Sequence, residues 1–237
     1  KLKADRSSQF LSSLLMVAPY ATEDVQIEVD GTLSSIPYVD TTIDVMEKFG
    51  IHVQYFDRKW FMVKSGQRYL PTKFMVEPDA SGASYFLAAA AITGGEVMLD
   101  GLKRESLQGD VKFLEVLERM GCDVTEDESG VKIQGSGKLR GGDVDMNAMP
   151  DVVPTLAVTA LFASTWTRIN NVAHLRYKES DRLTALATEL KKLGASITLI
   201  DDGLEIAPAP LHGAQLDTYD DHRLAMSFAL AGLKVPD

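Results

Sequence analysis

The chain has 237 residues, 45% of them hydrophobic, and a formal net charge of -10. This apolar content can build a substantial core in one large domain or two smaller ones, which argues against a disordered protein. The negative charge argues against nonspecific binding to nucleic acid or acidic membranes, because no overall positive field would attract phosphates. An anionic ligand would need a local group of basic residues.

Cysteine content and hydropathy indicate the compartment. The single cysteine, Cys122, leaves no partner for an internal disulfide and no Cys-x-x-Cys metal site. The longest apolar stretch, residues 152–163, is interrupted by Pro154 and is too short to cross a bilayer. We therefore expect a soluble, cytoplasmic protein.

The predicted elements recur along the chain. An apolar helix over residues 14–21 precedes an amphipathic helix, a glycine, and two strands joined by a polar turn over residues 39–64. The same order returns at 87–94 with 110–134 and at 156–163 with 181–206, and a fourth apolar helix is predicted over 224–231. The glycines that end the amphipathic helices, Gly50, Gly121 and Gly194, lie 71 and 73 residues apart. The pattern predicts an α/β protein of repeated βαβαββ units, with the apolar helices inside and the amphipathic helices facing outwards.

The outermost repeats look incomplete. The first lacks an obvious opening strand before Ser7, and the fourth stops after its apolar helix. We therefore expect a piece of a longer protein. A domain boundary is predicted at residues 76–78, where Pro78 restricts its predecessor to extended geometry just before a helix signal.

Residues 176–182 place three cations around Glu179 where a helix should begin, with Ser180 as the predicted N-cap. An arginine in the first turn, Arg182, opposes the helix macrodipole unless an anion binds there. The alternative is a solvated charge run in which Glu179 and Asp181 neutralise their basic neighbours.

A second helix start with basic residues follows at residues 219–223, where His222 and Arg223 precede the fourth apolar helix. Two such starts favour an anion site. His222 alone is more typical of an ordinary hydrogen-bonded histidine, and Asp220, Asp221 and His222 are too closely spaced for a metal site.

Several blocks in order resemble the 5-enolpyruvylshikimate-3-phosphate synthase family over nearly the whole chain. They include Ser-Ser-Gln-Phe at 7–10, Lys-Glu-Ser-Asp-Arg at 178–182 and Asp-His-Arg-Leu-Ala-Met at 221–226. Further blocks lie at residues 14–16, 37–40, 79–85, 106–110 and 145–151. The resemblance implies an inside-out α/β barrel fold with two lobes of three βαβαββ units each, and ligands between the lobes. Residues 1–77 would form part of the first lobe, and residues 78–237 most of the second.

The resemblance also implies the reaction. The 5-hydroxyl of shikimate 3-phosphate attacks C2 of phosphoenolpyruvate while the methylene carbon is protonated, and phosphate then leaves a tetrahedral intermediate. It implies no metal and no organic cofactor. Both substrates are anionic, so cations must hold them and carboxyl groups must move protons.

Site residues follow by matching positions. Asp151 would accept the proton of the attacking hydroxyl and contact substrate, Glu179 would protonate the methylene carbon, and His222 would assist phosphate or proton movement. Burial would favour the protonated Glu179, whereas Lys178 and Arg182 oppose it. The residues implied to bind substrate are Ser7, Ser8, Gln9, Ser35, Tyr38, His174, Lys178, Arg182 and Arg223, of which Arg182 and Arg223 would grip phosphoenolpyruvate.

Without the resemblance these residues have ordinary interpretations. Ser7, Ser8 and Gln9 would form an N-cap cluster, Ser35 and Tyr38 would lie in a loop and a strand, and Asp151 would cap a helix. Other family parts, including an early lysine and a glycine-rich loop, fall outside this chain. The missing segments would be needed to complete the site, so this piece alone is expected to have little or no turnover.

Two alternatives remain. A related transferase acting on UDP-N-acetylglucosamine shares the repeat architecture, but its usual cysteine-bearing loop is not visible here. A non-catalytic folding fragment is the other.

Overall fold

The computed structural model describes residues 1–3 and 7–235. The described residues form two compact units. The first contains the described residues of 1–76 together with 107–109, and the second contains residues 77–106 and 110–235. We call them the N-terminal unit and the C-terminal unit. Each has its own hydrophobic core.

The N-terminal unit contains one βαβαββ repeat. Its elements are β1 (Leu2–Lys3), α1 (Gln9–Val17), β2 (Val25–Asp30), α2 (Ile36–Lys48), β3 (Val53–Phe56) and β4 (Trp60–Val63). The sheet order is β1-β2-β4-β3, with β1 parallel to β2 and the other pairs antiparallel. The expectation that no strand opens the first repeat was therefore wrong, because two residues are too few to show the alternation that marks a strand in sequence.

The C-terminal unit repeats this arrangement. Its first part contains α3 (Ala80–Thr93), β5 (Glu96–Asp100), α4 (Phe113–Arg119), β6 (Asp123–Glu126) and β7 (Gly130–Gln134). Then come β8 (Asp143–Asp145), α5 (Val153–Ala160), β9 (Thr167–Asn170), α6 (Arg182–Lys192), β10 (Ser196–Ile200), β11 (Gly203–Ala207) and α7 (His222–Ala231). The sheet β8-β9-β11-β10 has the same strand order as the N-terminal sheet, and β5-β7-β6 matches its last three strands. The predicted repeat is confirmed.

The helix ends follow the predicted chemistry. Gly50, Gly121 and Gly194 lie just beyond α2, α4 and α6 with φ of 86°, 104° and 87°, a conformation that glycine adopts without steric penalty. Every residue of α5 is buried, and α5 packs against both α3 and α7. In the C-terminal unit the apolar helices are therefore mutually packed, as predicted.

A row of hydroxyl residues links these inner helices. Ser84 on α3 lies 3.2 Å from Thr155 on α5, whose Oγ1 lies 3.4 Å from the Oγ of Ser227 on α7. All three are buried. Ser12 on α1 occupies the same place in the repeat, and its Oγ accepts a hydrogen bond of 2.9 Å from the Thr42 hydroxyl. A buried hydroxyl at this one position of each inner helix is a mark of the repeat that apolar patterns do not reveal.

Candidate active site

The site is built around Arg182, in the first turn of α6, whose side chain has no exposed surface. Its Nε donates to Asp221 Oδ2 at 2.8 Å, its Nη2 to Glu179 Oε2 at 2.6 Å, and its Nη1 to Asp151 Oδ1 at 3.1 Å. A buried guanidinium requires such partners, because desolvation strongly disfavours an unpaired charge. These carboxylates also offset the unfavourable position of a cation at a helix N-terminus.

Asp151 is the point where the basic residues converge. It lies in the 3₁₀ turn Pro150–Val152, directly before α5, and not at the N-cap of a regular helix. Its Oδ1 lies 3.8 Å from Lys178 Nζ, and its Oδ2 lies 3.0 Å from Arg223 Nη2. Together with Arg182, three cations from two helix starts therefore meet at one carboxylate.

The cap of α6 differs from the prediction. Asp181 caps this helix, with its Oδ1 accepting from the Thr184 amide at 3.1 Å, so the assignment of Ser180 as N-cap was wrong. Ser180 instead donates its hydroxyl to Asp221 Oδ2 at 3.0 Å. Both residues are good N-cap types, and the neighbouring Asp221 engages the serine.

Asp221 is a site component that the sequence reasoning did not assign. Its side chain is fully buried, and its Oδ1 accepts from the Arg223 amide at 2.9 Å as the N-cap of α7. Burial would raise the pKa of Asp221, but the hydrogen bond and charge of Arg182 bring that pKa below its usual value. The Asp-His-Arg order before an apolar helix is an N-cap signal that could have identified it.

Tyr85 on α3 is a second residue that was missed. Burial raises the pKa of its hydroxyl, and the charge of Arg223, together with a hydrogen bond to it, partly offsets that effect. Tyr85 therefore lies beside the guanidinium proposed to bind an anion, and it belongs to a block that carries the family resemblance.

The acid–base candidates have contrasting environments. Glu179 is 51% exposed and paired with Arg182, so its carboxyl group is not buried. His174 is buried; burial first and the nearby Lys178 second lower its pKa, and among the described residues its Nε2 has no hydrogen-bond partner. His222 is exposed at the first position of α7.

Five candidates lie in the N-terminal unit. Ser8 is the N-cap of α1 without a side-chain cap bond, while the Ser7 Oγ accepts from the Gln9 amide at 3.3 Å. Ser35 has φ of 54° at the N-cap of α2, and its buried Oγ lacks a partner in the described part of the chain. Tyr38 lies in the first turn of α2, so its assignment to a strand was wrong. A proline at the start of a helix favours this outcome.

Metal-binding clusters and membrane-spanning helices are both absent from the described residues. No group of three or more His, Cys, Asp or Glu there could hold a metal ion. Between residues 1 and 235, leaving out 4–6, no helix is both long and apolar enough to span a membrane.

Comparisons with known proteins identify the family. The family model described as EPSP synthase (3-phosphoshikimate 1-carboxyvinyltransferase) matches residues 1–237. A 3-phosphoshikimate 1-carboxyvinyltransferase of Trichormus variabilis is 50% identical over 236 residues, which are 100% of this chain and 55% of that protein. The chloroplastic enzyme of Solanum lycopersicum is 51% identical over 243 residues, covering 98% of this chain and 46% of that one.

The solved structures agree. EPSP synthase from Acinetobacter baumannii superimposes with a TM-score of 0.78 at 28% identity, over 97% of this chain and 54% of that one. The chain spans about half the length of the relatives it matches. From the family model and these relatives, together with the shared α/β repeats, we conclude that the chain belongs to the EPSP synthase family.

Proposed function

We propose that the chain is part of an enzyme that transfers the enolpyruvyl group of phosphoenolpyruvate to the 5-hydroxyl of shikimate 3-phosphate. The observation that carries this proposal is the convergence of Lys178, Arg182 and Arg223 on Asp151. Two guanidiniums and an ammonium suit a ligand that carries both a phosphate and a carboxylate. Planar guanidiniums form bidentate hydrogen bonds with each of these two groups.

The proposed steps use the groups at this site. Asp151 accepts the proton of the 5-hydroxyl as its oxygen bonds to C2 of phosphoenolpyruvate, and Glu179 donates a proton to the methylene carbon. In the second step the Glu179 carboxylate takes a proton back from the methyl group as the tetrahedral intermediate expels phosphate, which forms the enol double bond and restores the acid. The proton on Asp151 leaves with the phosphate, directly or through His222. Arg182 and Arg223 bind the phosphate and carboxylate of phosphoenolpyruvate. No metal or cofactor takes part.

Carboxylates pair with each of the three cations in the structure. Arg182 is held by three of them, whereas Arg223 Nη2 contacts Asp151 and its side chain keeps 17% exposure. We propose that an incoming anion competes with Asp151 for Arg223 and Lys178, which frees Asp151 to accept a proton. Substrate binding and activation of the base would then be one event.

The remaining candidates are proposed as contacts to shikimate 3-phosphate. Within the C-terminal unit they are His174 and Lys178, and within the N-terminal unit Ser7, Ser8, Gln9, Ser35 and Tyr38. The buried, unpartnered hydroxyl of Ser35 supports its assignment, because a buried polar atom without a partner in the described chain is suited to a ligand.

We also propose that residues 1–77 and 78–237 belong to two lobes of an inside-out α/β barrel fold. The shared strand order and the buried hydroxyl on each inner helix support this assignment. The free, buried Cys122 fits the reducing cytoplasm as the compartment.

Phosphate release tests the function. The chain is assayed with shikimate 3-phosphate and phosphoenolpyruvate, alone and as a chimera in which it replaces the matching part of the Trichormus variabilis relative. Phosphate release by the chimera, but not by the isolated chain, would support the proposal that the chain is part of this enzyme. Release with UDP-N-acetylglucosamine instead of shikimate 3-phosphate would favour the related transferase, and no release in any combination would favour a non-catalytic fragment.

A further inference from the structure

A second buried carboxylate on α6 lies outside the proposed reaction. The Glu189 side chain is 1% exposed, and it accepts three hydrogen bonds. Lys192 Nζ donates to Oε2 at 2.7 Å, the Asp217 amide donates to Oε2 at 2.8 Å, and the Tyr219 hydroxyl donates to Oε1 at 3.0 Å. Two of the three donors therefore belong to the segment that leads into α7.

That segment, residues 208–221, has no helix or strand of its own. It contains two successive non-glycine residues with positive φ, Tyr219 at 55° and Asp220 at 54°. Such residues are uncommon and keep this conformation only where surrounding contacts impose it. Arg223 follows three positions after this pair, so the backbone direction at Tyr219 and Asp220 determines where its guanidinium lies.

Helix α6 holds the segment at two points. Arg182 and Glu189 are seven residues apart, which places them on one face of the helix about 10 Å apart along its axis. Arg182 binds Asp221, on one side of the strained pair, and Glu189 binds Asp217 on the other side and Tyr219 within it. A rigid helix therefore fixes the segment on both sides of its strained turn.

We propose that Glu189 is a positioning residue that orients Arg223 towards Asp151 and the phosphoenolpyruvate position. This inference rests on the proposed function, since it assigns Arg223 to that ligand. Glu189 does not touch the reacting atoms. It acts through Asp217 and Tyr219, which set the entry of the chain into α7.

The test uses two conservative variants that keep the fold. Tyr219→Phe removes one hydrogen bond at a residue that is 41% exposed. Glu189→Gln keeps the shape of the side chain but loses its charge and one acceptor oxygen. The matched control is Lys192→Gln, which removes the ammonium that donates to the same carboxylate and leaves in place both hydrogen bonds from the 208–221 segment.

The first measurement is amide hydrogen exchange in the chain itself, which needs no substrate. Both variants are expected to exchange faster at residues 217–223, above all at the amides of Asp217 and Arg223, while Lys192→Gln exchanges like the unaltered chain there. Unchanged exchange at these amides in both variants would overturn the proposal.

The second measurement is steady-state kinetics in the chimera. Each variant should raise KM for phosphoenolpyruvate by about three- to tenfold, the loss expected for one hydrogen bond, with kcat and KM for shikimate 3-phosphate within about twofold. A merely structural role would lower the folded fraction, and hence kcat, with both KM values unchanged. That pattern, or an equal rise of KM in Lys192→Gln, would overturn the proposal.

The two measurements separate this inference from the function on which it rests. If the unaltered chimera releases no phosphate, the proposed function fails, and amide exchange decides whether Glu189 holds the segment. If the chimera is active and exchange rises without any change in KM for phosphoenolpyruvate, the positioning role is wrong while the function stands.

Discussion

The starts of α6 and α7 use the same residue types to different effect. Each helix has an aspartate N-cap and an arginine in its first turn. At α6 the cap, Asp181, is partly exposed and the arginine, Arg182, is fully buried among three carboxylates. At α7 the cap, Asp221, is fully buried and the arginine, Arg223, keeps 17% exposure.

This difference gives the two arginines unequal shares in supporting the site and in the proposed binding. Arg182 links Asp151, Glu179 and Asp221, so it joins the start of α5, the turn before α6 and the cap of α7. Arg223 lies at the surface end of the same network, where an anion can reach it. Arg182 therefore chiefly organises the site, and Arg223 is the arginine that we propose exchanges its carboxylate partner for a ligand.

Removing the buried arginine should have the largest effect. We expect Arg182→Ala to lower the free energy of unfolding by about 3–5 kcal/mol, because Asp221 would remain buried without its cation. Urea denaturation of the chain measures the loss. Arg176→Ala is the control, since that arginine is 29% exposed and lies 3.6 Å from Asp181; its loss should be below about 1 kcal/mol. Equal losses would contradict the role assigned to Arg182.

The next prediction concerns chemistry at the start of α6. In the chimera, Glu179→Gln should lower kcat by about 10²–10⁴-fold, because the amide keeps the shape but cannot donate the carboxyl proton. The KM values should change little. His222→Gln, the matching change at the start of α7, is expected to lower kcat less. A smaller effect at Glu179 than at His222 would reverse the two assignments.

A third prediction concerns Arg223, the partly buried arginine of α7. Arg223→Lys should raise KM for phosphoenolpyruvate by about tenfold, because an ammonium cannot form the bidentate contacts of a guanidinium. Its effect on unfolding should be smaller than that of Arg182→Ala. Arg119→Lys, at the end of α4, is the control in the chimera. An equal rise of KM in that variant would show that the effect is not specific to the site.

The sequence predicted the repeat well because its signals are local. A glycine after an amphipathic helix and a polar turn between two strands each lie within a few residues, and Gly50, Gly121 and Gly194 all have the predicted backbone conformation. The two basic helix starts were also predicted, and the structure brings their arginines together at Asp151.

The missed features depend on contacts between distant residues. Asp221 binds Arg182 across 39 positions, and Glu189 binds Asp217 across 28, so a local pattern can mark Asp221 as a helix cap but cannot show either of these contacts. The choice of Asp181 over Ser180 as N-cap also follows from a distant residue, since Ser180 is engaged by Asp221. The opening strand β1 was missed for another reason, because two residues carry no periodic signal.

The smallest expected effect is on the pH dependence of stability, and it should differ between the two histidines near these helix starts. His174, in the turn before α6, is buried, and burial together with Lys178 lowers its pKa, while Asp151 acts in the opposite direction. Unfolded chains then bind more protons than folded ones below the ordinary histidine pKa of about 6.5, so stability should fall as pH decreases from about 7 to 5. His174→Gln should flatten this dependence in urea denaturation at several pH values. His222→Gln retains His174, so this variant should keep the pH dependence of stability. A pH profile that flattens only in His222→Gln would assign the titration to the start of α7.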